Sequence, residues 1–236
     1  MSPALYGTDL AWVHDAAFGD WARGAAPFVL ARLREAGIDE GRVADLGCGS
    51  GIWAAELLRA GYAVTGVDAS EAMLALARER APGAELLRGS LHEAPLPPCV
   101  AVTALGEAVN YDGPPSLEPL LRRVHAVLEP GGLLVFDAAA AGREPAGERR
   151  SRHAGDGWEI EVEAREDRAA RTLSRRIALV RDGSRSEELH ELTLYDPGDV
   201  VDWLEAAGFD ATRHASYGAA AGLPGVHVYV ATRRER

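Results

Sequence analysis

Apolar residues recur at helical spacing between residues 8 and 36, first Trp12, Val13 and Ala17, then Phe28, Leu30 and Leu33. The spacing predicts two amphipathic helices, with Gly37 as the stop. An apolar strand over 42–46 runs into a glycine loop, and a helix over 51–60 follows, closed by Gly61. A second strand over 62–67 carries Asp68 at its tip, and Ser70 caps a helix over 71–80. Residues 84–88 and 99–105 read as the third and fourth strands, the latter bounded by the breaker Pro95-Leu96-Pro97-Pro98. A helix over 116–128 stops at Glu129-Pro130-Gly131-Gly132, and 133–138 is the fifth strand. Strand and helix alternate with short connections throughout, which predicts an α/β fold with a parallel, doubly wound sheet.

The pattern then changes. Residues 139–156 are small, charged and glycine-containing, and read as a loop. Trp158, Ile160 and Val162 alternate strictly with Glu159, Glu161 and Glu163, the period of a half-buried strand. Segments 173–181 and 189–195 read as further strands, joined through the hairpin signal Asp182-Gly183. This is an antiparallel insertion after the fifth strand. A helix over 197–207 and strands over 209–216 and 226–231 return to the core. The expected organisation is a single domain over 1–236: lid helices in 1–40, a core of 41–140 and 196–236, and the insertion in 141–195.

Charge narrows the partners. The 236-residue chain carries a net charge of −11 and its arginines are scattered, so no nucleic acid is expected to bind it. No apolar run approaches the roughly 18 residues of a membrane span. Residues 1–10 lack the basic start and apolar stretch of a secretory signal. Cys48 and Cys99 make neither a disulfide framework nor a metal cluster, and a cytoplasmic location is expected. No His/Asp/Glu grouping suggests a metal site.

The chemistry gathers at the end of the first strand. Gly47, Gly49 and Gly51 are spaced Gly-x-Gly-x-Gly, whereas the dinucleotide fingerprint that seats a pyrophosphate is Gly-x-Gly-x-x-Gly. Asp45 offers an acceptor for an ammonium group, directly or through water. Asp68, one strand–helix–strand unit later, can accept two ribose hydroxyls. In residues 43–51, 64–70 and 128–133 the chain resembles the class I S-adenosylmethionine (SAM)-dependent methyltransferases, small-molecule type. The resemblance covers about residues 40–140. It implies a seven-stranded Rossmann-like sheet with the last strand antiparallel, and SAM as cofactor. Cofactor contacts are then expected from Asp45, Gly47, Cys48, Gly49 and Gly51, from Asp68, Ala69 and Met73, and from Leu105. Ser90, where many members carry Asp, and Leu91 would edge the adenine. In the lid, Tyr6 and Arg23 would touch SAM, with Arg23 on the methionine carboxylate or else a surface arginine.

Residues after the fourth strand face the transferable methyl in this family. Glu107, Asn110 and Tyr111 are therefore the candidate acceptor contacts. The bland alternatives are a solvated helix-start carboxylate for Glu107 and a turn or cap residue for Asn110. Displacement at a sulfonium releases a neutral thioether, so a base matters only for a hydroxyl, carbon acid or protonated amine. Glu107 is the first candidate base, then His14 or His190. His190 shares strand parity with Leu192 and Leu194 and is expected to point inward, as a core histidine or a catalytic one. The insertion is the expected place for an acceptor wall or a homodimer surface. The family's adenine-N6 motif is absent from 103–106, and Pro98-Cys99 precedes the strand that a cytosine-C5 nucleophile would follow. Two rivals remain: a nicotinamide oxidoreductase, disfavoured by the loop spacing and the lack of lysine, and a non-catalytic SAM-binding scaffold.

Overall fold

The computed structural model describes residues 5–111, 116–142, 148–218 and 224–235. The chain opens with α1 (Thr8–Glu35), one continuous helix where two were expected. Gly24 and Pro27 do not break it because both halves are anchored. Leu10 and Val13 pack with Ile160, Ile177 and Leu179, while Ala25, Val29 and Leu33 pack with Trp53 and Leu57. Burial of that kind overrides the weak helix propensity of the middle turns. At Gly19 a Cβ would stand 2.8 Å from Ile52 Cδ1, so the missing side chain admits the close approach of α1 to the core.

The core follows as β1 (Arg42–Leu46), α2 (Ile52–Arg59), β2 (Ala63–Asp68), α3 (Glu71–Arg80), β3 (Glu85–Arg88) and β4 (Cys99–Ala104). A 3-10 turn (Ala108–Asn110), α4 (Glu118–Val127) and β5 (Leu128–Ala139) complete its first half. After the insertion come α5 (Pro197–Ala206), β10 (Phe209–His214) and β11 (Val226–Arg233). The sheet has seven strands, as expected, with β11 antiparallel to both β5 and β10; their order is β10-β11-β5-β4-β1-β2-β3. Apolar clusters cover it, one built around Phe136, Leu204, Phe209 and Tyr229, the other around Trp53, Leu57 and Val64. Strand order reverses beside β1, which pairs with β2 on one side and β4 on the other. The loops leaving β1 and β4 diverge there and open a crevice.

The insertion is a separate four-stranded antiparallel sheet: β6 (Glu148–Gly155), β7 (Trp158–Asp167), β8 (Thr172–Arg181) and β9 (Ser184–Thr193). β6 lies where a loop over 139–156 was expected; residues 143–147 of that span are outside the described residues. Its sequence, ERRSRHAG, is polar on both faces of a mostly exposed edge strand and carries no alternation to read. β9 begins five residues before the expected 189 for the same reason, since its first half is polar.

Asn110 joins the two sheets. Its Nδ2 donates to the carbonyls of Ala139 (3.1 Å) and Thr193 (2.6 Å), and its Oδ1 accepts from the Ala139 N–H at 2.9 Å. The side chain is fully buried and its amide is engaged at both ends. Asn110→Leu is expected to lower unfolding free energy by about 2–3 kcal/mol, the cost of leaving buried backbone groups unpaired. The shift of the urea midpoint at unchanged slope measures it.

Candidate active site

The loop after β1 needs its glycines. Gly47, Gly49 and Gly51 have φ of +70°, +53° and +76°, a region L side chains rarely adopt. A Cβ on Gly47 would meet Ala108 Cβ at 2.6 Å, whereas one on Gly49 would project into open space, the cradle a ligand fills. Asp68, at the tip of β2, accepts from the N–H of Gly49 through one oxygen and of Ser70 through the other, both at 2.8 Å. Burial raises its pKa.

Asp45 lies beneath this loop. Trp53 Nε1 donates to Thr103 Oγ1 (3.0 Å), which donates to Asp45 Oδ1 (2.8 Å). Burial pushes the Asp45 carboxyl up to about 7, Thr103 opposes the rise, and the charge of Asp68 adds to it. Among the described residues no ion pair neutralises Asp45, and an ammonium group fits beside the two carboxylates.

The acceptor side is shaped by Asp137 on β5. It accepts from the N–H groups of Gly106 (2.8 Å) and Glu107 (2.5 Å) and from the Tyr217 hydroxyl (2.6 Å). Burial lifts its pKa to about 6, against the hydrogen bond of Tyr217. This grip holds Glu107 at a φ of +62°. Glu107 is buried, not solvated, and Arg175 Nη2 of β8 reaches its Oε2 at 2.9 Å. The Tyr6 and Tyr111 hydroxyls are 3.1 Å apart. Burial lowers His14 to about 4, with Asp15 opposing, so its ring is neutral at pH 7.

One cleft of about 470 Å³ connects these groups. Tyr6, His14, Asp45, Gly47, Cys48, Gly49, Asp68, Ala69 and Met73 line it, as do Ser90, Leu91, Leu105, Glu107 and Tyr111. Four expected site residues stand elsewhere. Gly51 caps α2. Arg23 pairs with Asp20 at 2.9 Å on the helix surface, side chain half exposed. Asn110 ties the two sheets together. His190 is fully buried behind the rings of Tyr6 and Tyr111, with Nε2 2.9 Å from Glu188 Oε2.

Several wall residues carried no sequence signal. Trp21, Arg149, Ser151, His153 and Arg175 line the cleft, and only the register of the insertion brings the last four there. Arg80 makes a bidentate pair with Asp15 and donates to the Ser50 carbonyl at 2.8 Å, fastening α1 to the glycine loop. Glu188 accepts from the N–H groups of Tyr6 and Gly7, both at 2.8 Å, fastening the start of α1 to the insertion.

Residues 43–132 match the family described as Methyltransferase domain. Over these residues the chain is similar to SAM-dependent methyltransferases. It is 38% identical over 106 residues to trans-aconitate 2-methyltransferase of Paracidovorax citrulli, a match covering 44% of this chain and 40% of that protein. A putative methyltransferase of Geobacillus is 33% identical over 117 residues, 47% of each chain. The chain thus spans less than half the length of the curated relatives it matches. Solved structures match throughout. An amino pentose methyltransferase of calicheamicin biosynthesis from Micromonospora echinaspora, solved with SAM, superposes with a TM-score of 0.76 at 27% identity, over 99% of this chain and 100% of that one. The CcbJ methyltransferase of Streptomyces caelestis shares the fold, with a TM-score of 0.82 at 23% identity over 100% of each chain. Among the described residues, no helix is long and apolar enough to cross a membrane.

Proposed function

We propose that the chain transfers a methyl group from SAM to an O or N atom of a small-molecule acceptor by in-line displacement. The observation that carries this reading is the single cleft that runs from the glycine loop, Asp45 and Asp68 to Glu107, Tyr6 and Tyr111. A donor at one end and an acceptor at the other would share one enclosed space, in which positioning and exclusion of water supply much of the rate. SAM, when bound, supplies an electrophilic methyl on a leaving group that needs no acid.

The chain's own residues have separate tasks in this proposal. Asp45 holds an ammonium group and Asp68 the ribose hydroxyls. Met73, Ser90 and Leu91 enclose the adenine, and Leu105 and Tyr6 border the methyl. Glu107 takes the acceptor's proton where the acceptor has one to lose. His14, with a pKa near 4, is a weaker candidate than a group closer to the working pH. His190 acts through the Tyr6 and Tyr111 rings it supports, as a positioning residue.

A relative named for trans-aconitate and a solved structure named for an amino pentose support a small-molecule acceptor. The acidic chain and two buried thiols support a cytoplasmic protein that takes neither nucleic acid nor membrane as substrate. The outer face of the insertion, with Val180 and Leu189 exposed, is our candidate homodimer surface.

Incubation with labelled SAM and a small-molecule extract tests the reading: label is expected in a product that partitions away from protein and nucleic acid. SAM binding without product across varied extracts would favour a scaffold. With the acceptor in hand, Glu107→Gln is expected to lower turnover by about a hundredfold at unchanged affinity for S-adenosylhomocysteine. Full turnover in that variant removes Glu107 from the base role.

A further inference from the structure

The insertion sheet sets two arginines in one row across its cleft-facing side. Arg149 of β6 pairs with Ala164 of β7, Ala164 with Arg175 of β8, and Arg175 with His190 of β9. Directly opposed residues of an antiparallel sheet share a face. Strands stand about 4.8 Å apart, so the two arginine backbones are roughly 10 Å apart, separated by a methyl side chain. Ala164 between them is buried with Leu173 and Leu192, and the arginines on either side of it both line the cleft. The next two rows put Ser151 beside Val162 and Ile177, and His153 beside Ile160. All of these except Ala164 and His190 line the cleft.

That composition departs from a packing surface. Beside Arg175, β7 and β8 give this face Ile160, Val162, Ala164 and Ile177, while β6 gives it Arg149, Ser151 and His153 at alternate positions. Glu107 engages one nitrogen of Arg175, and the guanidinium has further N–H donors on its other edges. Arg149 and Arg175 are the arginines of a cleft lining that also holds Asp45, Asp68 and Glu107. Paired guanidinium forks match the geometry of an oxyanion.

We infer that the methyl acceptor carries a carboxylate or phosphate-type oxyanion, and that Arg149 and Arg175 clamp it in the cleft with Ser151 and His153 at the rim. The anchored anion sets which acceptor atom faces Glu107 and Tyr111, and the insertion is thereby the specificity element. This inference rests on the methyltransferase reading above.

Calorimetry on the full chain saturated with S-adenosylhomocysteine tests it, with citrate, inorganic phosphate and glucosamine as probes. An anion is expected to bind and the cationic glucosamine to fail. The tighter of citrate and phosphate identifies the anion as carboxylate or phosphate. Arg149→Ala, at an exposed position, is expected to weaken anion binding by about tenfold or more while S-adenosylhomocysteine affinity holds. Arg175→Gln is expected to do the same. Arg150→Ala, on the opposite face of β6, is expected to change nothing. Should Arg175→Gln fail to fold, Arg149→Ala decides. The inference is overturned if the loaded protein binds neither anion, prefers glucosamine, or binds the anion equally well as Arg149→Ala. Failure to bind S-adenosylhomocysteine at all would instead overturn the methyltransferase reading, and this inference with it.

Discussion

Asp68→Ala is expected to weaken binding of S-adenosylhomocysteine by at least about a hundredfold, measured by calorimetry on folded protein. Two effects combine. The carboxylate spends one lone pair of each oxygen on the N–H groups of Gly49 and Ser70, and so holds the glycine loop against the start of α3. Each oxygen keeps a further acceptor position, and the side chain lines the cleft, where two ribose hydroxyls can reach it. Hydrogen bonds to a charged group contribute about 1.5–3 kcal/mol each. Losing two costs about 3–6 kcal/mol, a factor of roughly a hundred to ten thousand in affinity. Asp68→Asn retains one acceptor oxygen and is expected to fall between the variant and the wild type. An alanine variant that binds within about tenfold of wild type would show that the loop, not the carboxylate, holds the ligand.

Asp68 was legible because its role depends on local order: a strand tip, one strand–helix–strand unit after a glycine loop. The parallel half of the sheet was legible for the same reason, since each element is bounded by its own glycine, proline or cap. What stayed hidden depends on distant partners. The two halves of α1 read as separate helices because the anchors of its first half, Ile160, Ile177 and Leu179, are remote in sequence. β6 has no periodicity because an exposed edge strand needs none. Asn110 was expected at the acceptor, yet its hydrogen bonds go to Ala139 and Thr193, groups that only the assembled sheets bring near. Arg149 and Arg175 looked like two of many strand arginines until the register placed them in one row. Asp137 gave no signal either: its effect is to fix the backbone of Gly106 and Glu107 from the neighbouring strand.

Affinity for S-adenosylhomocysteine is expected to rise by about a hundredfold between pH 5 and pH 8, because binding an ammonium requires Asp45 as a carboxylate. The sign follows from the direction of the shift. Burial raises the Asp45 pKa to about 7 in the free protein, so at pH 5 the group is almost wholly protonated and at pH 8 almost wholly ionised. A cation docked on it stabilises the charged form and lowers its pKa, so a proton is released on binding below pH 7 and none is released well above it. Calorimetry at pH 6 in two buffers of different ionisation enthalpy measures that release directly. In Asp45→Asn the side chain can still accept from Thr103 but cannot ionise, and the pH dependence should flatten to an affinity near the low-pH value of the wild type. His14, already neutral above its pKa of about 4, adds nothing to the profile in this window. A wild-type affinity that does not change across pH 5 to 8 would detach Asp45 from the ammonium and leave it as a buried brace for Thr103 and Trp53.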